Sequence, residues 1–553
     1  MGLHRISQLS CFCRSVYRKR DVLKIGFMSE KMAASNVRFS SSLIRNNAYI
    51  NGEWVDSESG NTFEVYNPST QKLIGEVPDM RETDVQSAIE TAYKTFYTWR
   101  DVTAKERSRI LRNWYNLCVK HKDDLAKIIT IENGKPLSDA RNEVNYGNDF
   151  IAWYSEEARR IYGDIVSSPD PSKRILLMKQ PIGVAGMITP WNFPNAMITR
   201  KAAAAIAAGC TVVLRPSEDT PFSALALCQL AEEAGIPPGV LNVVTSSRDH
   251  AGPIGKILCE SPLVSIISFT GSTAVGKILQ KQCASSMKKT SMELGGNAPL
   301  IIFDSANVDL AIKGTMGAKF RCGGQTCVCP NRVLVQSGVY DEYVEKLTEK
   351  VKEEMVVGDG LDEETTLGPL INTRAVAKVK SLVEDAKSKG ATITTGGEPS
   401  DQGSHFYQAT VISDVTNDMR CVQEEIFGPV APIMKFETEE EAIAIANTTT
   451  SGLAGYFYSE NISQVWRMAE QLEYGIVGVN ETLMSTVEAC FGGWKESGLG
   501  REGSKYGIEE YLEVKYVCMG GLKKSEGANK PGSIINQVLP DDDVLKNYIP
   551  LDN

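Results

Sequence analysis

A cysteine in a run of small and polar residues is the first candidate for chemistry in this 553-residue sequence. It is the last residue of the run Gly324-Gln325-Thr326-Cys327. A nucleophilic cysteine needs a lowered pKa and an accessible position. The composition of the run predicts a turn that leads into a helix, whose first N–H groups would stabilise a thiolate. Taken alone, the motif is weak, because a cysteine is far more often a buried structural residue.

Two further motifs contain side chains that suit chemistry on a carbonyl group. Glu293 stands between two apolar residues and before two glycines, which is the setting of a desolvated general base. Asn192 lies in a turn between two prolines, where its amide could donate to a developing oxyanion. The alternatives are a surface glutamate at a domain crossover and an ordinary asparagine in a turn.

A glycine-led turn between a strand and a helix is a fourth motif, and it suits a phosphate. The run from Phe269 to Lys277 predicts a strand, a turn at Gly271 and a helix that begins near Ser272. The N–H groups at such a helix N-terminus can receive a phosphate. The run nearly matches the P-loop pattern, but Ile278 replaces the hydroxyl residue that binds magnesium, which argues against ATP hydrolysis.

Strands that alternate with helices must position these motifs. From residue 181 the apolar runs indicate a strand, a helix, and further such pairs up to Glu293, after which a second alternating set begins. Such alternation predicts an α/β fold whose parallel sheets are covered on both faces. Because a chain of this length exceeds one hydrophobic core, at least two domains are expected.

Composition argues against several classes of function. The net charge is -10, which disfavours nucleic acid as a partner, and no run reaches the ~20 apolar residues of a membrane span. The four histidines have no zinc-type spacing, so no metal site is predicted. The thirteen cysteines form no regular framework, which indicates a reducing compartment.

The N-terminal segment differs in charge from the rest of the chain. Residues 1–45 contain nine arginines or lysines and only two acids. A leader rich in Arg and Ser and poor in acids is typical of a mitochondrial presequence, predicted over residues 1–40 with its processing site in the run from Val37 to Ser41. The alternative is a disordered basic tail.

The motifs, in this order, resemble those of the aldehyde dehydrogenase superfamily. The resemblance runs from about residue 46 to about residue 521 and includes further motifs at 424–429 and 495–498. It implies an aldehyde dehydrogenase fold with a Rossmann-like cofactor domain, an α/β catalytic domain and a small β oligomerisation flap. The expected segments are a cofactor domain at 41–292 with part of the flap near 165–181, a catalytic domain at 293–495, a return segment with the oligomerisation strand at 496–521, and a tail at 522–553.

The resemblance implies catalytic roles for five residues. Cys327 would attack the aldehyde to form a thiohemiacetal, and the Asn192 amide with the Cys327 backbone N–H would hold the oxyanion. After hydride transfer, Glu293 would deprotonate the water that hydrolyses the thioester. Lys201 and Glu496 match positions that order the site or relay protons.

The resemblance also implies NAD as the cofactor. The residues expected to bind it are Thr189, Pro190, Trp191, Arg215, Pro216, Ser217, Glu218, Gly271, Ser272, Gly276, Leu294, Glu425 and Phe427. Glu218 matches the acid that binds the adenosine ribose, where a carboxylate repels a 2′-phosphate. Arg215 departs from the lysine that is usual in the family, which leaves NADP open.

Within the superfamily, the chain is most similar to the group that oxidises succinate semialdehyde to succinate in 4-aminobutyrate breakdown. Arg200 and Arg321 match a pair that grips a carboxylate, with Ser485 beside them, and two guanidiniums near a nucleophile select an aldehyde with an anionic tail. Salt bridges to protein acids are the alternative role for these arginines. Glutarate semialdehyde and a broader aldehyde range stay open, because one methylene is worth only ~1–3 kcal/mol.

A second thiol stands close to the nucleophile in sequence. Cys329 lies two residues after Cys327, and we hypothesise that it traps an oxidised Cys327 as a reversible disulfide. The alternative is a second buried thiol without a redox role.

The resemblance further implies a homo-oligomer, here expected to be a homotetramer assembled through a strand near 511–518, in the mitochondrial matrix. Two alternatives come from other classes of protein. One is a non-catalytic member of the family, which the intact Cys327, Glu293 and Asn192 disfavour. The other is a thiol esterase without a cofactor, which the intact Glu218, Ser272 and Glu425 disfavour as a main role.

Overall fold

The computed structural model describes residues 42–522, so the predicted leader and all but the first residue of the predicted tail lie outside the described residues. The strands of the described range are, in chain order, β1 (Ala48–Ile50), β2 (Glu53–Val55), β3 (Thr62–Tyr66), β4 (Leu73–Pro78), β5 (Asp164–Val166), β6 (Arg174–Pro181), β7 (Val184–Ile188), β8 (Thr211–Arg215), β9 (Leu241–Val243), β10 (Val264–Thr270), β11 (Lys289–Glu293), β12 (Ala298–Ile302), β13 (Pro330–Gln336), β14 (Thr392–Thr395), β15 (Thr410–Ser413), β16 (Val430–Phe436), β17 (Ser451–Gly452), β18 (Ala454–Tyr458), β19 (Ile476–Val479), β20 (Trp494–Lys495), β21 (Gly498–Leu499) and β22 (Leu512–Met519).

The α-helices of the same range lie between and before these strands. They are α1 (Glu82–Trp99), α2 (Ala104–Lys120), α3 (Lys122–Asn133), α4 (Leu137–Glu157), α5 (Ala196–Ala208), α6 (Pro221–Glu233), α7 (Arg248–Glu260), α8 (Thr273–Cys283), α9 (Val308–Lys319), α10 (Tyr340–Glu354), α11 (Thr373–Ser388), α12 (Arg420–Gln423), α13 (Glu439–Asn447) and α14 (Ile462–Gln471). Between residues 42 and 522, none of them is long and apolar enough to cross a membrane.

The first large sheet has the order β2-β1-β9-β8-β7-β10-β11-β21. Its five inner strands, from β9 to β11, are parallel, and the strands at both edges are antiparallel. The chain adds β8 and β9 on one side of β7 and then returns to add β10 and β11 on the other. Such a reversal of strand order opens a crevice at the carboxyl ends of the strands, where ligands bind.

The second large sheet has the order β14-β15-β16-β13-β12-β18-β19 and is parallel except for β14. Successive residues of β13 face opposite sides of this sheet. Leu334 therefore packs in one apolar cluster with Met434, while Val333 and Val335 pack in another on the opposite face. The sheet is thus buried on both faces, as the α/β prediction requires.

A third, small sheet is antiparallel and has the order β22-β6-β5. Along the chain, β6 comes directly before β7 and β22 comes after β21. β22 pairs with β6 in register from Leu512 opposite Pro181 to Met519 opposite Arg174. The segment 496–521 thus contributes β21 to the first large sheet and β22 to the small sheet. The predicted domain boundaries and the use of the small sheet in assembly stay predictions.

Helix α5 has an unusual composition for a buried helix. All of its thirteen residues are buried, although they include Arg200 and Lys201. Seven of them are alanines, which form helix readily and allow close packing on every side. Gly209 ends the helix with φ 99°, a left-handed conformation that glycine adopts without a steric cost. The helix therefore brings two cations into the interior, where they need partners.

Candidate active site

The predicted site residues meet where the two large sheets approach each other. Residues just after β7, β8 and β10 and at the end of β11 lie at the carboxyl edge of the first sheet. Cys327 and Phe427 each lie three residues before a strand, at the amino edge of the second sheet. Both edges line one cavity of about 330 Å³, formed by Pro190, Trp191, Asn192, Glu218, Asp219, Arg248, Thr270, Gly271, Ser272, Leu294, Gly295, Cys327, Ile371, Asn372, Arg374, Ala375, Lys378, Glu425, Ile426 and Phe427.

The turn after β10 forms a helix N-terminus that opens on this cavity. Ser272 caps α8, and its hydroxyl accepts a hydrogen bond from the Val275 N–H at 3.4 Å. At Gly271, a Cβ atom would come within 2.4 Å of the Phe269 ring, so any larger residue would displace that ring. The free N–H groups of the first helical turn suit a pyrophosphate, as the sequence predicts.

Gly276 serves the packing of α8 rather than the lining of the cavity. It is buried, and a Cβ atom at this position would lie 2.5 Å from Leu294 Cδ2. Leu294 does line the cavity. Gly276 therefore acts on a ligand only through Leu294, which differs from the direct contact that we predicted.

Glu218 lines the cavity, and Arg215 holds it in place. The Arg215 guanidinium donates to a Glu218 carboxylate oxygen at 2.9 Å and to Ser246 Oγ at 3.0 Å. Arg215 is buried, and neither it nor Thr189, Pro216 or Ser217 is among the residues that line the cavity. Glu218 is therefore the member of this predicted group that lines the cavity, and Arg215 contacts it from outside the lining.

An aromatic contact joins the two edges of the cavity. The Trp191 and Phe427 rings lie edge to face, with centroids 5.5 Å apart and planes at 87°. Phe427 has φ 57°, a strained conformation for a bulky residue. Its neighbour Glu425 accepts a hydrogen bond from the Gly296 N–H at 3.1 Å, and burial raises the pKa of Glu425 to about 7.

Cys327 lies at the junction of two cavities. It lines the cavity described above and also a second cavity of about 150 Å³. Residues 322–324 before it all have positive φ, and Cys322 among them is not a glycine. Backbone strain of this kind is typical of functional loops. Cys327 lies in a turn before β13 and not before a helix, so the predicted stabilisation by a helix N-terminus is wrong.

The electrostatic setting of Cys327 opposes ionisation in the absence of ligands. Burial raises the pKa of the thiol to about 12, and the nearby Arg200 guanidinium partly counteracts this effect. The Glu425 and Glu293 carboxylates raise it further. A reaction at Cys327 therefore needs a base or an added positive charge.

Asn192 is held at both its backbone and its side chain. Its side-chain Nδ2 donates to the Gln325 carbonyl at 3.0 Å, two residues before the cysteine. Its Oδ1 is buried and accepts no hydrogen bond from the described residues. The amide thus lies beside Cys327 in the same cavity, and one of its two N–H bonds stays available to a ligand.

Glu293 ends β11 with a buried, unpartnered carboxyl group. Both of its oxygens are buried without a hydrogen bond from any described residue. Burial, with the Glu502 charge as the next cause, raises its pKa well above the ordinary value. A carboxyl group kept where it destabilises the fold is typical of a chemical role. It lies outside the lining of both cavities, so acting on a substrate requires it to turn towards Cys327.

Lys201 pairs with a residue that we did not predict. Its amine forms a buried ion pair with Glu502 and also donates to Ser268 Oγ at 3.3 Å. Glu502 also pairs with Arg200, so one carboxylate is the shared counter-ion of both cations of α5 and offsets one of their two charges. Glu496, the predicted partner in a relay, is exposed and pairs with Lys277 at 2.8 Å. The structure thus brings Glu502 to Lys201 and places Glu496 on the surface, so the prediction for Glu496 is wrong.

The second cavity contains the three predicted substrate residues. It is lined by Asp139, Asn142, Glu143, Tyr146, Phe193, Met197, Arg200, Arg321, Cys322, Thr326, Cys327, Val328, Ser485 and Phe491. The Arg200 guanidinium lies 4.2 Å from the centroid of the Phe491 ring, and that of Arg321 lies 5.9 Å from the centroid of Phe193.

Both arginines retain donors for a ligand. Arg321 Nε and Arg200 Nη2 are buried and make no hydrogen bond within residues 42–522. The alternative of a salt bridge to a protein acid applies in part to Arg200, which pairs with Glu502. The geometry nevertheless suits a small molecule with an anionic group at one end, held by the arginines, and its other end at Cys327.

Cys329 lies behind the nucleophile. It is buried, and its sulfur lies 3.3 Å from the Lys319 amine, which also donates to the Pro330 carbonyl at 3.0 Å. It is absent from the lining of both cavities. Pairing with Cys327 therefore requires the turn at 327–329 to rearrange.

Sequence reasoning missed further residues of the site. In the first cavity these include Arg248, Arg374 and Lys378, and in the second Tyr146, Phe193 and Phe491. Phe193 stands next to the predicted Asn192, and that adjacency was the available signal. The described residues contain no group of three or more histidine, cysteine or acidic side chains that could hold a metal ion.

Comparison with known proteins points to one family for most of the chain. The profile of the aldehyde dehydrogenase family matches residues 54–517. The mitochondrial succinate-semialdehyde dehydrogenase of Rattus norvegicus is 58% identical over 480 residues, which cover 87% of this chain and 91% of the relative. The NADP(+) succinate-semialdehyde dehydrogenase of Escherichia coli (strain K12) is 52% identical over 480 residues, or 87% of this chain and 99% of the relative.

A solved structure extends the likeness to three dimensions. The succinate-semialdehyde dehydrogenase of Burkholderia pseudomallei superimposes with a TM-score of 0.85 at 50% identity, over 87% of this chain and 98% of that chain. The motif order, the site at the junction of the two sheets and these matches lead to one conclusion. The chain belongs to the aldehyde dehydrogenase family.

Proposed function

We propose that this protein oxidises succinate semialdehyde to succinate with NAD or NADP as the hydride acceptor. One observation carries the proposal: Cys327 lies where a cavity with a helix N-terminus meets a cavity with two arginines. The first suits a dinucleotide, and the second suits the carboxylate of an aldehyde with an anionic tail. The names of the relatives support the same reaction.

The residues support a covalent mechanism. Once the Cys327 thiol has lost its proton to a base, the thiolate adds to the aldehyde carbon, and the carbonyl oxygen becomes an oxyanion that the Asn192 amide and the Cys327 N–H stabilise. The bound dinucleotide supplies the acceptor for the hydride that leaves this carbon. Glu293 then takes a proton from the water that attacks the thioester, which releases the carboxylic acid and frees the Cys327 sulfur.

Glu218 favours NAD over NADP. Its carboxylate lines the cofactor cavity and would repel a 2′-phosphate. Arg215 cannot easily reverse this preference, since its guanidinium is held by Glu218, Ser246 and the Ser247 carbonyl. The E. coli relative is named for NADP(+), so both cofactors belong in the assay.

The experiment that tests the proposal is a measurement of NADH or NADPH formation by the purified protein. We expect activity with succinate semialdehyde, less with glutarate semialdehyde, and a much higher KM for neutral butyraldehyde. A preference for neutral aldehydes would contradict the role of the arginine pair and favour the broader aldehyde specificity.

Replacement of one arginine tests the substrate site. We expect Arg321→Gln to raise KM for succinate semialdehyde roughly 10- to 100-fold, since a hydrogen bond between charged groups is worth about 1.5–3 kcal/mol. KM for butyraldehyde should stay unchanged, because that substrate has no carboxylate. Arg109→Gln removes an arginine that pairs with Glu106 on the surface and serves as the matched control. Equal losses on both aldehydes would indicate a structural role for Arg321.

The cellular setting and assembly belong to the same proposal. The relatives named mitochondrial support a mitochondrial location, for which we propose the matrix, and a role in 4-aminobutyrate breakdown. We propose a homotetramer assembled through the small sheet of β5, β6 and β22.

A redox role for Cys329 is a separate proposal. It rests on the two-residue spacing from Cys327 alone, and it requires the turn at 327–329 to rearrange. Peroxide should inactivate the parent protein reversibly and a Cys329→Ala variant irreversibly. Equal recovery of both proteins with a reductant would rule the proposal out.

A further inference from the structure

The last residue of α3 and the two residues that follow it form a short segment that contacts the turn containing Asn192. Asn133 Nδ2 donates to the Trp191 carbonyl at 3.0 Å. Lys135 Nζ donates to the Asn192 carbonyl at 2.6 Å. Gly134 between them has φ 90°, which lets both side chains reach the same turn. Two consecutive carbonyls of the turn are thus held by one short segment.

Lys135 is itself fixed by a buried carboxylate. Its amine contacts Glu143 Oε2 at 2.6 Å, and the two side chains are 1% and 0% exposed. The other carboxylate oxygen, Glu143 Oε1, accepts hydrogen bonds from the N–H groups of Asn195 at 2.8 Å and Ala196 at 3.3 Å. Glu143 therefore anchors Lys135 and the start of α5 together.

The same amine lies over the ring of Phe193, 4.1 Å from its centroid. Phe193 lines the second cavity beside Arg321. Lys135 thus contacts both residues 192 and 193, of which one lies beside the nucleophile and the other lines the substrate cavity.

We propose that Lys135, held by Glu143, is a positioning residue that fixes the Asn192 amide for the oxyanion. The inference rests on the proposed function. Asn192 is then held at three points: the Trp191 and Asn192 carbonyls by Asn133 and Lys135, and the side chain by the Gln325 carbonyl. An oxyanion donor stabilises the transition state only when it is fixed before charge develops, because reorientation during the reaction costs free energy.

Loss of the amine frees the turn without touching the reacting atoms. In Lys135→Met, the Asn192 carbonyl loses its donor and the 192–193 backbone can shift. Displacements of about 1 Å can lower a rate about 100-fold, and loss of one oxyanion donor lowers kcat about 100- to 1,000-fold. We therefore expect kcat to fall by about 10- to 100-fold, because the Asn192 amide is displaced but still present.

The test compares reactions that need the oxyanion donor with one that does not. Dehydrogenation of succinate semialdehyde and of butyraldehyde, and hydrolysis of p-nitrophenyl acetate without cofactor, all pass through an oxyanion. Alkylation of Cys327 by iodoacetamide does not, since the thiolate attacks a saturated carbon. Lys135→Met should lower kcat for the first three reactions by a similar factor and leave the alkylation rate within about twofold.

Lys289→Met is the matched control. Lys289 is the first residue of β11. Like the Lys135 amine, its amine donates to the backbone, here to the carbonyls of Glu509 at 3.1 Å and Leu512 at 3.4 Å. This variant should keep kcat per folded molecule. Should Lys135→Met fail to fold, Glu143→Gln replaces it and should show the same pattern of losses, since it removes the anchor of the amine.

Two results would overturn the inference. One is a kcat within twofold of the parent value for Lys135→Met, or for Glu143→Gln where that variant is used instead. A change confined to KM for the anionic aldehyde counts as such a result. The other is a parallel loss of alkylation, which would indicate general damage to the site. A parent protein without dehydrogenase activity would instead refute the proposed function, so the two failures are distinguishable.

Discussion

The thiol of Cys327 sits in an environment that makes it a poor nucleophile until the pH rises or a ligand binds. Burial raises its pKa to about 12, against the opposing effect of Arg200. Since the thiolate is the reactive form, the cofactor-free protein should react faster at each higher pH, with no plateau between about pH 6 and about pH 9. Iodoacetamide alkylation followed by mass spectrometry measures this. A rate that is already constant near neutral pH would show that the thiol is ionised there.

Replacement of Glu496 and of Glu502 should change the stability of the protein by very different amounts. Glu502→Gln leaves Arg200 and Lys201 without their buried counter-charge, which should lower the free energy of unfolding by roughly 3–5 kcal/mol. Glu496→Gln removes only an exposed ion pair with Lys277 and should leave stability and activity unchanged. Chemical denaturation of both variants measures the difference.

The effect of pH on stability follows from the same carboxylate. Burial would raise the pKa of Glu502, but Arg200 and Lys201 outweigh it, so the pKa lies below its ordinary value. Its stabilisation is therefore present above the unfolded-state pKa and is lost as the pH falls through the folded-state pKa. The parent should lose this part of its stability in acid, whereas Glu502→Gln should not. The same acid sensitivity in both proteins would contradict the assignment.

At the scale of elements, the packing of α8 against Leu294 controls the cofactor cavity. A Cβ at Gly276 would lie 2.5 Å from Leu294 Cδ2, so Leu294, which lines the cavity, would have to move. Gly276→Ala should therefore raise KM for NAD several-fold, which corresponds to about 1 kcal/mol. Steady-state kinetics with varied NAD measure it.

The control for this substitution is Gly252→Ala in α7. A Cβ there would meet nothing within 4 Å in the described part of the chain. Alanine should then leave KM for NAD unchanged, because its Cβ displaces no neighbouring side chain. An equal change in KM for both variants would show that helix stiffness, and not Leu294, sets cofactor binding.

At the scale of the whole molecule, the small sheet presents apolar side chains on its surface. Ile165, Val514 and Tyr516 are 82%, 60% and 59% exposed, and β22 and β5 both form edges of that sheet. Exposed apolar edges of this kind favour association with another chain. A Val514→Lys, Tyr516→Glu double variant should therefore sediment as a smaller species than the parent. Unchanged mass in analytical ultracentrifugation would contradict assembly through this sheet.

Much of this protein is determined by local sequence pattern alone. Apolar runs and helix signals predict the alternating α/β elements, including α5 with its final glycine and the turn before α8. The types of residue at Cys327, Glu293 and Asn192, with their immediate neighbours, are enough to indicate carbonyl chemistry. Local patterns suffice here because strands, turns and helix caps depend on residues a few positions apart.

Only the tertiary structure decided which charged residues meet. Lys201 and Glu502 are 301 positions apart, and Lys135 and Asn192 are 57 apart, so no local pattern pairs them. Glu496 and Glu502 are the same type of residue and lie six positions apart. Glu496 is exposed, whereas Glu502 is buried and pairs with two cations. The physical reason is that a buried charge needs a partner, and the fold alone determines which partner is within reach.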